Sequence, residues 1–331
     1  MTTLKDVAEA ANVSPTTVSR IINGDSSLKV SDGTRETVQQ KIEELGYRVK
    51  TKRPTAGNKV ALITALSEER SVNDSYWQSI CLSIERHAKD IEITNLIRLS
   101  DDFQKHQLEM YDAVILVGDL SEQSINQLAS INPNLVAVDS KAEHIHVTNI
   151  APDFEIVMKE ILESLQANQY QAVAYIGGMN RLQDVQTGQA VEALDDRYYM
   201  YQSWMKSHGQ ADYSYIGEWD AQTGYDGVEK LLAQSPTLNA IIVGSDLVAM
   251  GAMNKLKELE LVPGKDIQVI SFDNLDFSQY LNPSLTSVDL NIDALAQMAI
   301  NQAVSLAQAP RDWMANIKIP GKILYRDTYQ G

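Results

Sequence analysis

Between Thr3 and Gly24 the chain has room for only two short helices joined by a tight turn, and that constraint decides what its first fifty residues can be. The spacing predicts a helix capped by Thr3, with Asp6 three residues on as an aspartate form of the capping box and Leu4, Val7, Ala8 and Ala11 along one apolar stripe. Asn12 breaks it. Ser14 then caps a second helix whose first position is Pro15, where a missing N–H costs nothing; Val18, Ile21 and Ile22 turn inward while Thr16, Thr17, Ser19 and Arg20 turn outward. A third amphipathic helix, capped by Ser31, runs from Thr34 to Leu45 with Val38, Ile42 and Leu45 on one face and stops at Gly46. Together they predict a helix-turn-helix whose outward face is short and polar enough to enter a DNA major groove of about 12 Å. The bland alternative is a helical hairpin with surface threonines, but cap, turn, cap and stop all fall where the motif needs them.

With 331 residues, the chain must carry at least one more domain beyond this all-α headpiece. The net charge of −16 argues against nucleic acid when read over the whole chain. It is unevenly spread, however: residues 1–57 hold nine Lys/Arg against seven Asp/Glu, a net of +2, which leaves −18 on the rest. An acidic body repels DNA and leaves binding to the headpiece, so affinity is expected to depend strongly on salt. The single cysteine, Cys81, lies among Ile80, Leu82 and Ile84 and reads as a buried, inert thiol. No apolar run of signal-peptide type precedes the headpiece and no stretch of eighteen apolar residues occurs, so a soluble cytoplasmic protein is expected. Residues 51–58, with the basic approach Arg48-Val49-Lys50, contain Pro54 and Gly57, lack apolar periodicity, and read as a basic linker between a DNA-binding domain at 1–50 and a core at 59–331.

From Lys59 onward short apolar runs alternate with amphipathic stretches, the pattern of βαβ units around parallel sheets covered on both faces. Eight runs read as strands: Val60–Ile63, Ile91–Asn95, Ala113–Val117, Leu135–Val138, Ala172–Ile176, Tyr213–Ile216, Ala240–Val243 and Ile267–Ile270. That exceeds one sheet of ordinary size, and a break near residues 150–158 divides them into two doubly wound lobes. In such sheets ligands bind beyond the carboxyl ends of strands, where this chain places Asp139, Trp219, Ser245 and Asp273. Carboxylates, a guanidinium and an indole suit a polyhydroxylated ring, although any one strand-end aspartate can equally cap the next helix.

Catalytic signatures are missing. His87, His106, His144, His146 and His208 include only one close pair, His144 and His146, with no Cys or carboxylate set at metal spacing, so neither a metal nor a cofactor is expected. No Gly-x-Ser-x-Gly elbow, P-loop or dinucleotide fingerprint occurs. The expectation is therefore a binding protein rather than an enzyme.

Residues 3–47 resemble the headpiece of the LacI/GalR family of bacterial transcription regulators, and the core carries further motifs of that pattern. These are Gly177-Gly178 with Arg197, Trp219 before Gly224-Tyr225, Ser245-Asp246-Leu247-Val248-Ala249-Met250-Gly251-Ala252, Phe272-Asp273, and Pro283-Ser284-Leu285-Thr286-Ser287-Val288. The resemblance implies that Pro15 and Thr16 discriminate bases, that Arg20 reaches a guanine edge, and that Thr17, Ser19, Asn23 and Thr34 touch phosphates, with Thr3 and Ser14 in the same DNA-facing set. It departs in the linker, where no leucine lies between Leu45 and Leu62 to wedge into a minor groove; Arg48, Lys50, Lys52 and Arg53 remain to follow phosphates.

For the core, the resemblance implies a periplasmic-binding-protein-like fold of two lobes joined by three crossovers. The first lobe would span about 59–157 and 291–319, the second about 158–290 and 320–331. Asp139, Arg197 and Trp219 with Asp273 then coincide with effector contacts, Trp219 as a stacking platform and the charged three as hydroxyl clamps. Ser245 stands where the family more often has Asn, and Tyr76 or Trp77 can supply a second stacking face. Within the family the chain looks most like Gram-positive galactose-operon regulators. The resemblance implies a homodimer on double-stranded operator DNA, controlled by a sugar, with no membrane partner. Its dimer surfaces are expected around Ser79, Leu82, Ser83 and Arg86 and near residues 246–253. The competing readings are a catabolite-control type of regulator with a phosphoprotein co-regulator, and a sugar-binding protein without a regulatory role.

Overall fold

The computed structural model describes residues 4–22, 30–44, 59–66, 74–88, 91–94, 96–98, 105–235 and 237–331. The chain divides into two compact units, Met1–Ala56 and Gly57–Gly331.

In the first unit, α1 (Leu4–Ala10), α2 (Pro15–Ile22) and α3 (Asp32–Glu44) follow from their caps. Asn12 adopts a left-handed φ of 52° and ends α1. Ser14 Oγ accepts the Thr17 N–H at 3.0 Å to start α2, and Ser31 Oγ accepts the Thr34 N–H at 3.2 Å to start α3. Val7, Ala8, Ala11, Val18 and Val38 form the buried cluster, with Val13 and Ile21 half-buried against it. The side chains of Leu4, Ile22 and Ile42, and all of Leu45, Gly46 and the linker at 51–58, lie outside the described residues.

The second unit holds two mainly parallel sheets, and their strands are apolar because helices cover both faces. One sheet contains β1 (Lys59–Thr64), β2 (Glu92–Ile93), β3 (Ile97–Arg98), β4 (Ala113–Val117), β5 (Leu135–Val138) and β6 (Thr148–Asp153). Its α4 (Ser75–His87) packs on one face and α5 (Glu122–Ile131) on the other. The chain then passes into the second sheet through α6 (Phe154–Ala167). There follow β7 (Val173–Gly178), the hairpin β8 (Asn180–Gln183) and β9 (Ala190–Ala193), α7 (Asp196–Ser207), β10 (Tyr213–Gly217) and α8 (Ala221–Gln234). β11 (Ala240–Val243), α9 (Asp246–Glu258), β12 (Gln268–Phe272) and β13 (Thr286–Asp289) complete that run. α10 (Ile292–Gln308) and β14 (Asn316–Pro320) return to the first sheet, and β15 (Lys322–Leu324) closes the second.

The sheet orders are β14-β6-β5-β4-β1-β2, with β3 also on β1, and β10-β7-β11-β12-β13-β15, in which only β15 is antiparallel. The chain therefore passes between the sheets at β6–α6, β13–α10 and β14–β15. Helices α8 and α9 cross closely because both contact points are glycine. A Cβ on Gly224 would sit 1.8 Å from the Val248 carbonyl oxygen and one on Gly251 1.7 Å from that of Ala221.

Several strands lack the long apolar run that marks a buried strand. The predicted strand Ile91–Asn95 shrinks to Glu92–Ile93, and β6 carries Pro152 beside Ile319 of β14. β14 alternates exposed and half-buried positions at the sheet edge, where one face and one backbone edge remain wet. Cys81 is buried, and burial pushes its thiol up to about 12, which leaves it inert. Among the described residues, no helix is long and apolar enough to cross a membrane.

Candidate functional site

The cleft between the two lobes is built at the carboxyl ends of the strands. Asp139 follows β5 and Asp273 follows β12, and both take left-handed backbone conformations, with φ of 51° and 97°. A non-glycine residue gains nothing locally from that geometry, at a cost of about 1–2 kcal/mol, so the surrounding structure must impose it. It does: the Asp139 N–H donates to Ile150 O at 2.7 Å and the Asp273 N–H to Val288 O at 3.0 Å. The carboxylate of Asp139 does not cap a helix. It accepts the Tyr76 hydroxyl at 2.8 Å and the Lys141 ammonium at 2.8 Å.

Arg197 is the most constrained side chain in the cleft. Asp195, the N-cap of α7, accepts the Arg197 backbone N–H at 3.0 Å, its Nε at 2.6 Å and its Nη2 at 2.9 Å. Nη1 donates to the Gly244 carbonyl. The guanidinium centre lies 4.6 Å from the Phe154 ring, 4.7 Å from Trp219 and 5.4 Å from Phe272. Burial alone would raise the Asp195 carboxyl, but the Arg197 charge and its hydrogen bonds overcome that and hold it at about 2. Three of the five guanidinium N–H donors are thus engaged within the protein.

The indole of Trp219 lies against backbone that only glycine allows: a Cβ on Gly178 would come within 2.4 Å of it and one on Gly244 within 2.9 Å. Its Nε1 donates to Asn180 Oδ1 at 3.2 Å, and Asn180 Nδ2 donates to Asp195 Oδ2 at 3.3 Å. Asp246, fully buried, accepts Ser287 Oγ and the Leu275 N–H, each at 2.7 Å. Burial, together with the neighbouring Asp246 charge, pushes Asp273 well above the carboxylate range. Burial raises Asp246 as well, so the pair resists carrying two negative charges at once. The cleft thus offers carboxyl groups, a guanidinium, an ammonium and an indole face.

All seven core residues singled out from sequence, Tyr76, Trp77, Asp139, Arg197, Trp219, Ser245 and Asp273, line this one cleft. Trp77 is also buried in the first-lobe cluster with Ile80 and Ile84. Ser245 Oγ meanwhile accepts the Val248 N–H at 3.3 Å as the cap of α9. Sequence reasoning missed Asp74, Asp119, Lys141, Phe154, Asn180 and Asp195, which share the lining. Among the described residues, no group of three or more His, Cys, Asp or Glu is placed to hold a metal ion.

In the first unit Pro15 and Thr16 are exposed, Thr17 and Arg20 half-buried. Ser14 and Thr17 hydroxyls pair at 2.8 Å, and those of Ser31 and Thr34 also at 2.8 Å. Thr3, Asn23, Arg48, Lys50, Lys52, Arg53 and the Ser19 side chain fall outside the described residues. One expectation needs correcting. Ser83 is buried, with its hydroxyl donated to Asp293, and Asp246, Val248, Ala249, Gly251, Ala252 and Met253 are buried beneath α8 or within the second-lobe core. Of the expected dimer faces, Leu82 and Arg86 stand exposed and Ser79, Leu247 and Met250 half-buried, while packing of α9 on α8 consumes the rest of the second face.

The family profile described as "Bacterial regulatory proteins, lacI family" matches residues 3–49, and "Periplasmic binding protein-like domain" matches residues 162–329. The chain is 27% identical over 337 residues to the HTH-type transcriptional regulator GanR of Bacillus subtilis (strain 168), covering 99% of both chains. It is 28% identical over 338 residues to the HTH-type transcriptional regulator GalR of Streptococcus thermophilus, again with 99% of both covered. Among solved structures, the Lac repressor bound to ONPG in the repressed state superposes with a TM-score of 0.67 at 21% identity, covering 99% of each chain.

Proposed function

Because this chain belongs to the lacI family of bacterial regulatory proteins, we propose that it is a transcriptional repressor of a sugar-utilisation operon, released from its operator by galactose or a galactoside bound between the core lobes. Its relatives are transcriptional regulators, and it is likewise a regulator and not an enzyme. The carrying observation is the convergence of Trp219 with Asp139, Arg197 and Asp273 on one cleft. Trp219 stacks on the C–H face of the sugar, while Asp139, Arg197 and Asp273 clamp its hydroxyls. Tyr76, Trp77 and Ser245 complete the wall. In the headpiece, α2 enters the major groove, with Arg20 on a guanine and Pro15 and Thr16 on neighbouring base edges. Ser14, Thr17, Ser19, Thr34, Thr3 and Asn23 hold the backbone, and the basic residues 48–53 follow phosphates.

The mechanism is two-state. Sugar binding favours one closure angle of the lobes, and in a cytoplasmic homodimer this alters the spacing of two headpieces on adjacent half-sites. Charge narrows the class further: even without Asp273, whose carboxyl is pushed toward its neutral form, Asp74, Asp119, Asp139 and Asp195 outnumber Lys141 and Arg197 in the lining, and both cations are already engaged by carboxylates.

Neutral sugars are therefore the expected ligands. A thermal-shift panel at about 100 times Kd should show galactose raising the melting temperature by roughly 5 °C, with sugar phosphates inert. Selectivity for ribose, a purine or a sugar phosphate would overturn the assignment.

A further inference from the structure

Resting on the reading of the cleft as a sugar site, we propose that the β8–β9 hairpin is a non-covalent strap across the lobes, and that Asn180 at its base is the positioning residue that connects it to the sugar. The hairpin leaves the second lobe directly after β7 and reaches the first. Gln183 forms a parallel bridge with Leu120: the Ser121 N–H donates to Gln183 O at 2.8 Å and the Gln183 N–H to Asp119 O at 3.1 Å. The next residue but one repeats the contact, its Val185 N–H donating to Ser124 Oγ at 2.9 Å. The Val185 side chain packs against the first-lobe cluster that contains Leu120 and Ile125.

Asp184 braces the tip. One carboxylate oxygen gathers the Thr187 N–H at 2.8 Å and the Gln186 N–H at 3.0 Å, while the other accepts Ser121 Oγ at 3.3 Å and Ser124 Oγ at 3.4 Å across the cleft. At the base, Asn180 is buried and clipped between the Trp219 indole and Asp195, the acid that holds Arg197. The stacking ring, the buried ion pair and the strap therefore share one amide.

A two-stranded hairpin has little stability of its own, and β9 is largely exposed. The strap consequently depends on the first lobe for its order, and its contacts with that lobe are made or lost as a group. Unlike the chain passages at β6–α6, β13–α10 and β14–β15, it can open. That makes it an element with two discrete arrangements, which a ligand touching Trp219 can bias through Asn180.

The test uses the full chain with spin labels at Glu143→Cys in the first lobe and Lys206→Cys in the second, both exposed, while native Cys81 stays buried. In sugar-free protein, Val185→Asp and the milder Ser124→Ala should each lengthen and broaden the interlobe distance, and each should raise the galactose dissociation constant about tenfold, or ~1.4 kcal/mol. With galactose raised until a separate titration shows the variant's site filled, Asn180→Ala should leave the interlobe distance at its sugar-free value. Wild-type distances in the folded Ser124→Ala protein overturn the strap, even if Val185→Asp fails to fold. An Asn180→Ala protein that still closes normally on sugar overturns the positioning role. A wild-type protein that ignores galactose defeats the sugar reading alone, because the sugar-free distances are measured without it.

Discussion

Asp195→Ala is expected to destabilise the core by about 3–5 kcal/mol, because it strips a buried guanidinium of its charged partner. Arg197 would keep only the Gly244 carbonyl among its present partners, surrounded by Phe154, Trp219 and Phe272. The same loss frees the Asn180 amide that holds Trp219, so sugar affinity falls with stability. Urea unfolding followed by Trp fluorescence measures the first effect, and a sugar titration measures the second.

The linked pH dependence has a definite sign. Asp195 sits at about 2 in the folded protein, below the ordinary aspartate value of about 3.9, so its contribution of roughly 2 kcal/mol is fully present above pH 4 and disappears as pH falls toward 2. Asp195→Asn should therefore flatten the acid limb of the wild-type stability profile between those values. An unchanged urea midpoint for Asp195→Ala, with a normal sugar response, would show that the ion pair does not hold the cleft together.

Arg20→Ala is expected to relax base preference at one position of each half-site by about 1–3 kcal/mol, the worth of one bidentate guanine contact. Binding to random duplex should persist, since phosphate contacts supply it, and the slope of affinity against salt should change little. Ser14 caps α2, and Val18 anchors it on Val7 and Val38. A gel-shift series over single-base operator variants would detect the change. Unaltered discrimination would remove α2 as the reading helix.

Much of this architecture is legible in the sequence where one residue type has one physical use. Ser14 before Pro15 marks the start of α2, and runs such as Ala113–Val117 suit only a strand buried on both faces. Strands without a continuous apolar run are less visible. β6 contains Asn149 and Pro152, and its ordering depends on β5 on one side and β14 on the other.

The cleft divides in the same way. Asp139, Trp219 and Asp273 stand directly after apolar strands or close to their ends, so position alone points to them. Lys141, Asn180 and Asp195 are marked by their partners rather than by position: Asn180 by Trp219 far along the chain, Lys141 by Phe154 at 4.7 Å, and Asp195 by an Arg197 wedged among rings. The signal that could have found Asp195 is local after all. An Asp two residues before a functional Arg, at a helix start, can cap the helix and hold the guanidinium at once.

The central claim is that a neutral sugar in the cleft governs operator affinity. Its most direct test is fluorescence anisotropy of a labelled operator duplex with the full-length protein at fixed salt, titrated with galactose and, separately, with the Trp219→Ala variant. The account predicts release by galactose from the wild-type protein and retained, sugar-insensitive binding for Trp219→Ala. Wild-type anisotropy that stays constant through saturating neutral sugars, or a Trp219→Ala protein released at the same concentration, would contradict it.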